Sequence, residues 1–315
     1  MKRRMAIASV MVAGAALLSI PGGSATTPDN LPDFVIRSDV RLVLLDVSVK
    51  DREGGFVSGL SKDDFHIDEN GVPQSITVFA HNDIPVTVGI LVDNSLSMIP
   101  KRAEVLDSAL AFISGSNPKD EIFVLNFNDT VKRGLPDGEL FSDDIKQLHE
   151  ALYQGRPEGR TALNDAVIEG LQQLQQGTRD KKTLILISDG GDNASRHTRA
   201  EMFKAVEESI ATIYTVGLFT PGDPEQNPGT LKTLAKISGG LAYFPDPRKP
   251  QELAGVCRRI AEDIRTRYTV GYKPAESGGA QRHIRVRVVA PDRTHLTART
   301  RTSYLYEQNP KTAAQ

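Results

Sequence analysis

The chain has a single cysteine, Cys257, among its 315 residues, which excludes an internal disulfide even in a compartment that would permit one. It has almost no charge imbalance. A formal net charge of -2 gives no electrostatic reason to expect a nucleic acid. The locally basic stretch Arg282 to Arg301 alternates, as in Arg285-Val286-Arg287-Val288, and reads as a strand with one solvated face instead of a phosphate track. No apolar run beyond the first 25 or so residues is long enough to span a membrane. Gly-x-Ser-x-Gly, His-Glu-x-x-His, Walker A and Gly-x-Gly-x-x-Gly patterns are missing, and His149-Glu150 has Tyr153 where a second histidine would stand.

What is present is ordinary in bulk and specific in detail. With 39% hydrophobic and 25% charged residues, the composition is that of a globular protein holding one medium domain and something smaller. Lys2-Arg3-Arg4 precedes an apolar run from Ala6 to Ile20 and then Gly23-Ser24-Ala25, the pattern of a cleavable secretory signal over residues 1–25. No cysteine stands beside the cleavage site, so a lipoprotein anchor is not available. The expectation is a secreted or periplasmic protein with no transmembrane segment in the mature chain. Leu253, Val256, Cys257, Ile260 and Ile264 share one helical face, which makes the lone thiol a core residue.

The pattern along the chain changes twice. Val43, Leu45, Val47 and Val49 alternate, Glu53-Gly54-Gly55 turns the chain, and Phe65 and Ile67 lead to the hairpin signal Asn70-Gly71. The return strand is expected at Ile76, Val78 and Phe79, and Asp68-Glu69-Asn70-Gly71 reads as a turn, not a calcium loop. After Pro85, strands and helices alternate as in a parallel sheet. Strands are expected near Val86–Val92, Glu121–Phe127, Val131–Leu135, Thr183–Ser188, Thr212–Leu218 and Leu241–Phe244. Helices are expected at about Arg102–Ser114, Ser142–Tyr153, Ala162–Gln175, Arg199–Ile210, Leu231–Ser238 and Gln251–Arg267. The Asn128-Asp129 turn suggests an antiparallel hairpin at one edge. From Tyr268 the β pattern returns.

The two β segments are each too short to bury a core alone. The expected organisation is therefore an N-terminal β segment (26–83), an α/β domain (84–267) and a C-terminal β segment (268–306). The last pairs with residues 34–82 into a small β-sandwich around the inserted domain, and 307–315 is expected to be a disordered tail. The fold class is α/β, a Rossmann-like, doubly wound, mostly parallel sheet.

Three loops at the ends of expected strands carry oxygen ligands. Asp93, Ser95 and Ser97 follow the apolar strand Val86–Val92 and offer one carboxylate and two hydroxyls to a hard divalent cation. Thr161 stands at the threshold of an amphipathic helix, and Asp189, followed by Gly190 and Gly191, ends the apolar run Thr183–Ser188. Each alone is also an ordinary turn or helix cap. Together they place a weakly neutralised cation site beyond the carboxyl ends of a parallel sheet, where such sheets bind ligands.

The pattern Asp93-x-Ser95-x-Ser97, then Thr161, then Asp189-Gly190 resembles the metal-ion-dependent adhesion site of von Willebrand factor type A domains, over about residues 84–265. With its flanking β segments, the chain also resembles secreted acidobacterial-type proteins that carry this domain. The resemblance implies Mg²⁺ or Mn²⁺, in preference to Ca²⁺, held by Asp93, Ser95 and Ser97, with Thr161 direct or through water and Asp189 through water. The expected partner is a protein presenting an Asp or Glu carboxylate, in an adhesion or interaction role and not as an enzyme. Two alternatives stand beside this: a metal-assisted hydrolase, for which His197 is the nearest candidate base to Ser95 or Ser97, and a scaffold whose metal site is vestigial.

Overall fold

The computed structural model describes residues 42–306, apart from Pro221, Pro247 and 276–278. The expected signal segment 1–25, the expected tail 307–315 and residues 34–41 lie outside the described residues. Strand β1 (Val43–Lys50) buries Leu45, Val47 and Val49 as its alternation suggests, and Ser48 between them as well. Strands β2 (Phe65–Glu69) and β3 (Val72–Gln74) form the hairpin at Asn70-Gly71. Both turn residues are left-handed, with φ of 50° and 82°, as a type I′ turn requires.

The return strand differs from expectation. It is Val72–Gln74, while Ile76, Val78 and Phe79 belong to β4 (Ile76–Ala80), which leaves the hairpin and joins another sheet. A two-residue loop forces the return strand to start at Val72. Pro73 cannot donate to a ladder, so that strand stays short and at the edge.

Strand β5 (Val86–Asp93) is buried at every residue, the signature of a strand covered on both faces. A 3-10 turn over Leu96–Lys101 leads into α1 (Arg102–Ser114), followed by β6 (Glu121–Phe127) and β7 (Val131–Arg133). Helix α2 (Ile145–Tyr153) starts three residues later than expected, because Ser142 bridges Ile122 and Asp144 caps the helix by accepting from the Lys146 N–H. Then come α3 (Leu163–Gln175), β8 (Lys181–Ser188), α4 (Arg199–Glu208), β9 (Thr212–Gly217), α5 (Pro228–Ser238), β10 (Ala242–Tyr243) and α6 (Pro250–Thr266). The chain closes with β11 (Tyr268–Tyr272), β12 (Gln281–Val288), β13 (Thr297–Arg299) and β14 (Ser303–Leu305).

The central sheet has the order β10-β9-β8-β5-β6-β7. All its pairs are parallel except the β6–β7 hairpin at the edge. Helix α1 packs beside α6 and α2, and α4 packs between α3 and α5, giving one helical layer per face. Chain order runs outward from β5 through β6 on one side and resumes at β8 on the other. The switch point of this doubly wound sheet therefore lies between the carboxyl ends of β5 and β8. Cys257 is buried on the inner face of α6, and burial pushes its thiol up to about 12.

The remaining strands form two antiparallel sheets, β13-β1-β11-β4 and β14-β12-β2-β3. They share one apolar core, with Leu45 and Val47 from β1, Ile67 from β2, Tyr268 and Val270 from β11, and Ile284 from β12. Two buried ionic groups sit against this core. Glu69, expected in a turn, is instead 3% exposed; it pairs with Arg282 at 2.7 Å and accepts from the Tyr272 and Tyr304 hydroxyls at 2.7 Å each. Arg267, the one residue between α6 and β11, donates to the Tyr214 hydroxyl, the Gly239 carbonyl and Asp263. Asp263 also takes Arg299 from β13 at 2.5 Å, so a single buried carboxylate ties α6 to the outer strand β13.

Candidate metal centre

Parallel pairing of β5 with β8, with Val92 opposite Ile187, brings Asp93 beside Ser188 at the switch point. The Ser188 hydroxyl donates to Asp93 Oδ2 at 2.6 Å and accepts from the Gly190 N–H at 3.0 Å. The other oxygen, Asp93 Oδ1, accepts from the Ser95 N–H at 2.9 Å. Ser95 Oγ lies 3.1 Å from Ser97 Oγ, which donates to Asp189 Oδ2 at 2.6 Å. Asp189 Oδ1 accepts from the Gly191 N–H at 3.1 Å. Asp93, Ser95, Ser97 and Asp189 thus form one continuous polar chain across the switch point. Gly190 is required where it stands: its φ is +84°, and a Cβ there would run into the Asn227 carbonyl.

Thr161 joins this edge through its backbone. Its N–H donates to Asn193 Oδ1 at 2.8 Å, and its carbonyl accepts from the Asn193 and Ala194 N–H groups at 3.0 Å each. Helix α3 begins at Leu163 after Ala162 and has no side-chain cap, so the Thr161 hydroxyl is not spent on the helix. Ser95 likewise precedes the 3-10 turn without capping it. The residues whose ordinary role would be capping are therefore not capping.

Asp192 and Asn193, which follow Gly190 and Gly191, do not cap the next helix. Thr198 caps α4, in a reciprocal box with Glu201. Asp192 accepts from the Asn164 amide at 2.7 Å, and the Asn193 amide donates to Glu225 at 2.9 Å. His197 is held by Asp165, with its ring nitrogen 2.7 Å from the carboxylate and its N–H donating at 2.9 Å. The hydrogen bonds of the described residues connect it to neither Ser95 nor Ser97.

The electrostatics of the site are unbalanced. Asp93 and Asp189 are each 2% exposed, and burial pushes the Asp93 carboxyl up to about 6, against the hydrogen bonds from Ser188 and Ser95 and with Asp189 adding to the rise. Lys101, which its sequence context gave no reason to single out, is buried nearby, and its pKa is lowered by burial and raised by Asp189, Asp223 and Asp93. Its ammonium, however, donates to the Leu218 carbonyl at 2.7 Å, and no salt bridge reaches Asp93 or Asp189 among the described residues. Two buried carboxylates without a paired cation are costly. A small divalent cation fits that deficit and the all-oxygen donor set. Among the described residues no three His, Cys, Asp or Glu side chains converge, so a cation here would rely on hydroxyls as much as on carboxylates.

A second layer fixes the loops around this chain. The Asn94 amide donates to Asn126 Oδ1 at 3.1 Å, and the Arg102 guanidinium holds Asn94 Oδ1 and the Gly155 carbonyl. The Asn94 carbonyl accepts from Glu158 at 2.9 Å, which lays the loop 154–160 along the exit of β5.

A doubly wound α/β domain with a hydroxyl-rich carboxylate cluster at its switch point defines the class. Residues 88–191 match the family model of the von Willebrand factor type A domain. Such domains typically mediate protein interactions. The uncharacterized protein sll0103 of Synechocystis sp. (strain PCC 6803) is 24% identical over 168 residues, covering 52% of this chain and 39% of that protein; the match thus spans well under half the length of that relative. Among solved structures, a von Willebrand factor type A protein from Catenulispora acidiphila superposes with a TM-score of 0.50 at 15% identity, covering 79% of this chain and 75% of that one. Proximal thread matrix protein 1 from the mussel byssus also gives a TM-score of 0.50, at 13% identity over 62% of this chain and 51% of that one. These likenesses concern the fold.

Proposed function

We propose that this chain is an exported protein-binding module in which Asp93, Ser95, Ser97, Thr161 and Asp189 hold a divalent cation, Mg²⁺ or Mn²⁺, that captures an acidic side chain of a partner protein. When bound, the cation supplies positive charge and a coordination position open to a carboxylate. The observation that carries this reading is the pair of buried carboxylates, neither in a salt bridge among the described residues, joined through Ser95 and Ser97. Asp93 contributes the negative charge, while Ser95, Ser97 and Thr161 contribute neutral oxygens.

In this reading Asp189, hydrogen-bonded to Ser97 and Gly191, stands one water removed from the cation. One carboxylate near a 2+ ion leaves net positive charge for an acidic ligand. Among the described residues, the hydrogen bonds of the Ser95 and Ser97 hydroxyls reach no base other than these carboxylates, and the reading is non-catalytic. Export is supported by the signal pattern in residues 1–25, and among the described residues no helix is long and apolar enough to cross a membrane.

Calorimetric titration with Mg²⁺ tests the cation seat. Wild type is expected to bind one ion and Asp93→Ala none; equal and negligible heats in both would favour a vestigial site.

A further inference from the structure

On the other side of β5 from the switch point, between the carboxyl ends of β5 and β6, lies a cavity of about 200 Å³. Its floor is Asn94 and Asn126, both buried and both spent internally: the Asn94 amide on Asn126 and the Asn126 amide on the Ala151 carbonyl at 2.8 Å. With Arg102 gripping Asn94, that floor is rigid. The walls carry Lys132, Arg156 and Glu158, all exposed. The other cations of this rim are engaged. Arg160 pairs with Asp129 at 3.0 Å, and Arg102 is used on Asn94 and Gly155. Lys132, Arg156 and Glu158 enter no salt bridge among the described residues, so the cavity has an unspent charge balance of one positive.

We infer that the partner's recognition segment carries two acidic side chains, one for the cation seat and a second for this cavity, where Lys132 and Arg156 receive it. This deepens the proposed function and rests on it. Asn94, next in sequence to Asp93, belongs to the floor of this cavity. Adjacent strands lie about 4.8 Å apart and an extended chain advances roughly 3.3 Å per residue, so acidic residues at positions i and i+2 of an extended segment span seat and cavity. About 200 Å³ accommodates a carboxylate with a few waters, each taking roughly 30 Å³. Glu158 opposes this second acid, and the two cations outweigh it.

The test uses the full chain and densely immobilised blocked peptides that differ only in acid content: a single Asp, Asp-Gly-Glu, and Asp-Gly-Lys. Binding is read in Mg²⁺ and in chelator, with melting temperatures confirming that each variant folds. The expected order in Mg²⁺ is Asp-Gly-Glu, then Asp, then Asp-Gly-Lys, with about threefold or more between steps, as exposed charge pairs provide. Lys132→Ala and Arg156→Ala should each shrink the preference for the acidic pair, and Glu158→Gln should enlarge it, with binding of the single-Asp peptide unchanged. Magnesium-dependent binding without that preference, or with a preference that these variants do not move, would overturn the inference and leave the cation seat standing. Failure of every peptide to bind in a magnesium-dependent way would overturn both.

Discussion

Asp93 should cost the metal-free protein stability, and Asp93→Asn should recover it. Burial raises the folded carboxyl to about 6 from an ordinary value of roughly 3.9, and at about 1.4 kcal/mol per pH unit this corresponds to about 3 kcal/mol. The direction follows from proton counting. Below a pH of about 4 both folded and unfolded states are protonated there and no penalty exists. As the pH rises to about 6 and beyond, the unfolded chain has already released its proton while the folded one holds it, so stability falls until the penalty is complete.

Asparagine keeps the acceptor for the Ser95 N–H and can donate to Ser188 Oγ, so the packing survives the change. Urea unfolding in chelator from pH 4 to 8, on wild type and variant, reads the difference directly. The variant should be more stable by up to about 3 kcal/mol at pH 7.5, with the gain vanishing near pH 4. A variant equal to or weaker than wild type at pH 7.5, or a gain that does not depend on pH, would refute the reasoning that this carboxylate is buried at the expense of the fold.

Other perturbations give definite expectations. Gly190→Ala forces a left-handed φ on a residue with a Cβ and drives that atom into the Asn227 carbonyl; a loss of about 1–3 kcal/mol in chemical denaturation, together with weakened cation binding, is expected. Asp263→Ala leaves Arg267 and Arg299 without their shared carboxylate, and should cost about 3–5 kcal/mol in the same assay. Glu69→Ala strands Arg282 and two tyrosine hydroxyls, and a similar loss is expected with cation affinity unchanged. Ser188→Ala removes a charge-assisted hydrogen bond of 2.6 Å to Asp93, and a loss of about 1.5–3 kcal/mol is expected at pH 7.5, where the carboxylate is ionised.

The parts of the molecule that sequence made legible are those whose signals are local. Asp93, Ser95 and Ser97 share one loop, and the β5–β8 alternation with helices announces a parallel sheet whose strand ends converge, which puts Asp189 beside them, while Thr161 meets the same edge through its backbone contacts to Asn193 and Ala194. Helix α1 runs over the expected residues because its amphipathic span and the Ser114-Gly115 end agree. Long-range choices were less visible. Glu69 reads as a turn residue because Arg282, its partner, is 213 positions away. Ile76–Ala80 looks like the natural return of a hairpin, and only the pairing demanded by β11 draws it into another sheet. Ser188 is one more residue at the end of an apolar run until the β5–β8 register puts it on Asp93. Lys101 belongs, by sequence, to the start of a helix, and its burial depends on the β9 exit loop at Leu218.

The central claim is a cation held by Asp93, Ser95, Ser97, Thr161 and Asp189 with a position left open for a carboxylate. Electron paramagnetic resonance titration with Mn²⁺, followed by water-proton relaxation as an acidic peptide is added, measures both halves at once. One bound Mn²⁺ per wild-type chain is expected, absent in Asp93→Ala, with relaxation enhancement falling as the peptide carboxylate displaces water. Mn²⁺ binding that survives Asp93→Ala, or relaxation indifferent to the peptide, would contradict it.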